Sequence, residues 1–346
     1  MWSDFQGVED NMASGEFDKV FTKGRPHILE KICLYLDYNT FKDCLEVNKA
    51  WKTILTAPTF QKKAKSVFRE EIVKDEEKLW IATVKGNAEE VRKLLSVGMV
   101  EVDCGLMPTM PPIMCAAILD NKVIFEMLLN GGANPGNNPL HYAAQNGSKH
   151  VAKYLLETGA QPNEADKCGW TPLHLAARYG RKEVVELLLD NGAETSKAQL
   201  ETEFFPPIMY EAWTALHAAS YEGHKSVVQL LLLRGADPNV AGRTGRTPLL
   251  EAANVGHQDV LQLLLDRGAK PNDPDEMGWT PLHGAARNGH KEAVQLLLDR
   301  GADPNKRDGV GETPISWAKA TGHNDVVQLL YNTRAEASTN RSSALR

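Results

Sequence analysis

Several things are missing from this sequence, and each absence narrows what it can be. No run of about 18 apolar residues occurs, so no bilayer-spanning helix is expected. The first residues, MWSDFQGVEDNMASGEFDKV, have neither a basic nor an apolar region of a secretory signal, and none is expected. Cysteine is scarce: Cys33, Cys44, Cys104, Cys115 and Cys168 form an odd set without pairwise spacing. That argues against a disulfide framework and a zinc cage, and fits a reducing compartment, the cytoplasm or nucleus. The sequons at Asn146 and Asn340 are then read as chance matches. Basic charge is not in excess, the formal net charge being −6, so there is no electrostatic footprint for nucleic acid. Neither His-Glu-x-x-His, Cys-x-x-Cys, a phosphate-cradling loop ending in Lys-Ser/Thr, nor Gly-x-Ser-x-Gly is present. No catalytic residue, metal or cofactor is expected. What remains is a chain of 346 residues, 42% apolar and 24% charged, which is a foldable composition.

What is present is repetition. WTPLHLAARYG at 170–180 returns almost unchanged as WTPLHGAARNG at 279–289. Thr214, Thr247, Thr280 and Thr313 fall at intervals of 33, and Thr171 stands 43 before Thr214. Asn138 occupies the same slot 33 before Thr171, preceded by Pro111 and Glu77, which makes eight units. A fixed period of this length means a solenoid. Each unit reads physically. Thr is a helix N-cap, Pro stands at the first helical position, and an Ala pair such as Ala252-Ala253 permits close helix approach. Gly180, Gly223, Gly256, Gly289 and Gly322 follow as left-handed caps. A second helix of the KEVVELLLDNG type carries a wide apolar face, which no unit can bury alone.

These motifs resemble the ankyrin repeat over residues 76–332. The resemblance implies an all-α solenoid of helix–turn–helix units with β-hairpin fingers. It also implies that the histidines of the PLH slot (His141, His174, His217, His283) and those after the mid-repeat Gly (His224, His257, His290, His323) are structural, hydrogen-bonding between units. It implies a concave face that binds a protein, lined by the residue before Thr and the helix-end slots. Those slots hold Trp170, Arg178, Tyr179, Trp213, Tyr221, Glu222, Arg246, Trp279 and Arg287, rich in the residue types that dominate interface hot spots. Ten extra residues within TSKAQLETEFFPPIMYEAW bulge beside this face.

Residues 25–68 do not repeat. Ile28, Leu29, Ile32, Cys33 and Leu36 share a helical face, and two shorter helices are expected around Phe41–Val47 and Trp51–Leu55. Three helices in about 40 residues make little core alone, so the segment needs a partner or a neighbour. It resembles an F-box through Pro26, Ile28-Leu29-x-x-Ile32-x-x-Tyr35-Leu36-Asp37 and Val47-Asn48-Lys49-x-Trp51, with Arg25 and Asn48 departing from the pattern. The resemblance implies docking onto the Skp-type adaptor of a cullin–RING ubiquitin ligase through Pro26, Ile28, Leu29, Ile32, Leu36, Val47 and Trp51. Residues 69–75 are expected as a helical connector, and 1–24 and 333–346 as disordered.

Two functions compete. In one, the chain is a non-enzymatic substrate receptor of an SCF-type ligase, monomeric outside that complex. In the other, it is an ankyrin scaffold or inhibitor with a helical N-terminal cap and no ligase link. Within the solenoid, the unit starting near Pro111 lacks the Thr and has Asp120 where Gly is usual, whereas the units over 246–300 match well. Hydrogen exchange should therefore show weaker protection over 105–135 than over 246–300.

Overall fold

The computed structural model describes residues 75–96, 111–136, 138–198 and 212–333. The F-box-like segment, with Pro26, Ile28, Leu29, Ile32, Leu36, Val47 and Trp51, lies outside the described residues, as do residues 69–74 of the connector, most of the insertion, and residues 1–24 and 334–346. No helix among the described residues is long and apolar enough to cross a membrane.

Described residues fall in two compact units, within Met1–Gly136 and Asn137–Arg346. In the first, α1 (Asp75–Val84) pairs with α2 (Ala88–Ser96), and α3 (Pro112–Ile118) with α4 (Lys122–Asn130). Leu79, Val91, Ile113, Ile124, Phe125 and Leu128 form its core. Asp120 bears the expected departure: its φ is +56°, so a side chain stands where the turn asks for a left-handed residue. Burial pushes the Cys115 thiol up to about 12, which makes it inert.

Among the described residues, the second unit holds six helix pairs: α5 (Pro139–Asn146) with α6 (Lys149–Glu157), α7 (Pro172–Arg178) with α8 (Lys182–Asp190), and α9 (Ala215–Tyr221) with α10 (Lys225–Leu233). Then come α11 (Pro248–Val255) with α12 (Gln258–Asp266), α13 (Pro281–Arg287) with α14 (Lys291–Asp299), and α15 (Pro314–Ala320) with α16 over residues 324–333. Helices of seven to nine residues are too short to persist in water, so packing must hold them. First helices stack on first helices, and second on second, through α15 and α14 respectively. The Ala pairs make the close approach possible: Ala176, Ala177, Ala218, Ala219, Ala252, Ala253, Ala285 and Ala286 are fully buried. Val184, Val185 and Leu188, and their equivalents Val227, Val228 and Leu231, bury the second-helix face.

The fingers differ from expectation. Among the described residues there is no strand, so the β-hairpins are replaced by turns. In the finger before α7, one backbone bond closes the loop, from Asp166 N–H to the Trp170 carbonyl at 2.8 Å. The Asp166 carboxylate then accepts from the N–H groups of Cys168 and Trp170, at 2.8 and 2.9 Å. A side chain that takes these donors locally leaves little for a strand ladder. Asp275 and Asp308 do the same in later fingers.

Each finger also needs a left-handed residue two positions before Thr. Gly278 holds it at φ +76°, and a Cβ there would sit 2.8 Å from the Gly309 backbone nitrogen. After the insertion the same slot is Ala212, at φ +54°. Gly278→Ala should lower stability by about 2 kcal/mol, through both the left-handed Cβ and the clash. Ala212→Gly should raise it by about 0.5 to 1 kcal/mol, the relief of the same penalty less the entropy of glycine. Urea midpoints of the two variants check the pair.

Candidate functional site

The histidines come first, because they set what is left free for binding. In α7, His174 reaches back to its own N-cap: its Nδ1 accepts from the Thr171 N–H at 3.2 Å and lies 2.7 Å from Thr171 Oγ1. An Nδ1 that accepts carries no proton, so Nε2 holds it and donates to the Trp213 carbonyl in the next unit, at 2.8 Å. His217 repeats this with Thr214 and the Arg246 carbonyl, and His283 with Thr280 and the Glu312 carbonyl. His141 bonds the Trp170 carbonyl at 3.0 Å. The arrangement is a capping box whose far nitrogen joins two units.

The second histidine slot works in the opposite direction. His224, His257 and His290 bond the carbonyls of Arg178, Tyr221 and Asn254 in the preceding unit, at 2.8, 2.9 and 3.0 Å. These rings lie where a side chain on the preceding cap glycine would stand: a Cβ on Gly256 would be 2.5 Å from His290 Nδ1. Asparagines add a third link, as in Asn239, which donates to the Gly268 carbonyl and accepts from the Lys270 N–H. Among the described residues no cluster of His, Cys, Asp and Glu could hold a metal ion.

With these groups committed, the remaining surface on the first-helix side forms a groove of about 600 Å³. Its floor is Trp279 and Trp317, whose rings meet edge to face at 5.1 Å. The Arg287 guanidinium stands over both, 5.8 and 5.4 Å from the ring centres. Met277 and Val310 form the finger-side wall, 66% and 70% exposed, and Asn254, Val255 and Asn288 the helix-end wall. Tyr221 and Arg246 close the near end, and Asp275 and Asp308 lie along the finger side.

Of the residues expected on the binding face, the groove gathers Tyr221, Arg246, Trp279 and Arg287. Trp170, Arg178 and Trp213 sit beneath the surface instead. Trp170 is 1% exposed and Arg178, 5.4 Å over its ring, is buried as well. Trp213 is covered by Tyr221, with ring centres 5.4 Å apart. These three support the face; they do not lie on it. Tyr179 is half-buried and accepts from Gln145, and Glu222 lies 3.3 Å from Arg178, both outside the groove. Trp317 was not among the expected residues. It fills the slot taken elsewhere by Leu175, Ala218, Glu251 and Gly284, and an indole in that variable slot is the signal that marks it.

Glu251 is the unusual member of that slot. It is buried, and its Oε1 lies 3.0 Å from Arg246 Nε without hydrogen-bond alignment. Burial pushes its carboxyl up to about 7, outweighing the opposing pull of Arg246.

A family model of ankyrin repeats in three copies matches residues 113–199, 166–242, 200–275 and 216–308, more than half of the chain. The chain belongs to the ankyrin-repeat family. A comparison with curated proteins finds no match. Ankyrin repeats bind protein partners and are generally non-enzymatic, which fits a groove lined by indoles, an arginine and apolar tips.

The ankyrin histidines make stability pH-dependent. Burial pushes the His174 and His217 imidazoles down to about 4, against the Trp213 and Arg246 carbonyls. The unfolded chain therefore takes up these protons first, so stability is complete above about pH 6.5 and falls as the pH drops towards 4. Glu251 works the other way, its contribution being lost as pH rises from 4.5 through about 7. His141, His224 and His283 are also held low, so the histidines dominate. His217→Leu, imitating the natural Leu250, should cost about 1–3 kcal/mol at pH 7 and flatten the urea-midpoint profile between pH 6.5 and 4.

Proposed function

We propose that this chain is a non-enzymatic substrate receptor of an SCF-type ubiquitin ligase, acting in the cytoplasm or nucleus. Its ankyrin groove holds a protein substrate, and residues 25–68 dock a Skp-type adaptor and through it a cullin. The observation that carries the binding half is the groove, with Trp279, Trp317 and Arg287 gathered between exposed Met277 and Val310. Aromatic and arginine side chains at the centre of an interface contribute most of its energy, typically about 2 kcal/mol or more each on truncation. The adaptor half rests on the pattern from Pro26 to Trp51. Ubiquitin transfer then belongs to the partner enzymes, and this chain contributes capture and proximity.

Full-length protein mixed with purified Skp-type adaptor should form a complex on size exclusion. Ile32→Asp with Leu36→Asp should abolish it, since a carboxylate forced into an apolar contact is a buried unpaired charge costing several kcal/mol. Tyr221→Ala with Trp279→Ala should keep the adaptor and lose the cellular proteins that cross-link to the groove. A wild-type chain that ignores the adaptor would leave a protein-binding ankyrin scaffold without a ligase link.

A further inference from the structure

Each of the groove's two carboxylates holds its own finger through Oδ1. Asp275 Oδ1 accepts from the N–H groups of Met277 and Trp279, at 2.9 and 2.8 Å. Asp308 Oδ1 accepts from Val310 and Glu312, and its Oδ2 takes the Trp317 indole N–H at 2.7 Å. Two donors, Arg287 and the Trp279 indole N–H, are not committed in this way. Arg287 is exposed and makes no ion pair among the described residues; its contacts are the two indole faces. The Trp279 indole N–H, unlike that of Trp317, has no acceptor among the described residues. A guanidinium held against two aromatic planes is a preorganised fork for a carboxylate.

We propose that the groove takes an extended protein segment bearing one carboxylate side chain flanked by large apolar side chains. The carboxylate pairs with Arg287, within reach of the Trp279 N–H. The flanking side chains lie on Met277, Val310 and Val255. An extended segment of about eight residues matches the groove, since α9 to α15 is three helix spacings, roughly 24–30 Å. One charge follows from Asp275 and Asp308, two carboxylates that line the same groove. They repel a run of acidic residues, and a dianionic phosphate more strongly. The inference rests on the substrate-binding half of the proposed function and is independent of the adaptor.

The test uses full-length protein and fluorescein-labelled peptides of about nine residues. Flanking positions are randomised over Leu, Ile, Val, Phe and Met, and the central residue is Glu, Gln or phosphoserine. Fluorescence polarisation should show the Glu mixture bound at least about tenfold tighter than the Gln mixture. Arg287→Gln should remove that preference, and Arg287→Lys should keep only part of it, an ammonium being a point charge without the planar fork. Thermal melts of both variants matching the wild type exclude a folding defect. Equal affinity for Glu and Gln mixtures, no binding of the Glu mixture, or a preference that survives Arg287→Gln would overturn the proposal. Phosphoserine binding tightest would overturn it in favour of a phosphorylated partner. Adaptor binding by the same preparations separates a failure here from a failure of the ligase reading.

Discussion

A neutral imidazole that touches two units at once is the interaction on which the rest of this structure depends. His174 and His217 accept from their own N-cap with one nitrogen and donate to the next unit's backbone with the other. Both bonds require the uncharged ring with its proton on Nε2, and burial supplies that state. Helix initiation and inter-unit docking are thereby the same event. A helix of seven residues cannot nucleate alone, yet its cap is completed by a residue that also fixes the neighbour. In the last described unit, Ser316 keeps the local half of this arrangement, lying 2.9 Å from Thr313 Oγ1.

The same network explains why some of the protein was legible in its sequence and some was not. Period, caps, Ala pairs and histidine slots repeat because every interface imposes the same demand, so each could be read several times over. The fingers misled for a local reason. The resemblance implies hairpins, but Asp166, Asp275 and Asp308 take the backbone donors that a strand partner would have used. The site was legible as a set of slots and not as a surface. Trp170, Trp213 and Trp279 occupy one slot, yet Arg178 covers the first, Tyr221 covers the second, and the third faces the groove half-buried. Exposure of one slot depends on residues five and eight positions away and on the neighbouring unit, which a slot-by-slot reading does not combine.

Glu251 shows how far the repeat rule can bend. Its neighbours in the same slot are apolar or small, and burying a carboxyl there is unfavourable even with Arg246 at 3.0 Å. The contact lacks hydrogen-bond alignment, so it offsets the desolvation only in part, and the carboxyl is held near neutrality. Arg246 in turn is drawn to the near end of the groove, where its Nε side faces Glu251. A buried acid thus positions a cation at the edge of the binding surface.

Three departures from the repeat pattern meet around this one place. Leu250 replaces the bridging histidine, so the Trp279 carbonyl keeps its finger bond to Asp275 but receives no imidazole. Gly284 leaves room that the Asn254 side chain occupies, its Oδ1 lying 2.0 Å from where a Cβ would stand. Trp317 brings an indole to the far side. Leu250 forgoes a coupling that other units retain, and a solenoid tolerates such a loss because its stability sums over many interfaces. Departures occur elsewhere too, at Asp120 and Ala212, but those beneath the groove shape the surface we propose for recognition. The bridging histidines make the units of His141, His174, His217 and His283 alike, and the groove we propose for binding lies where Leu250 breaks that likeness.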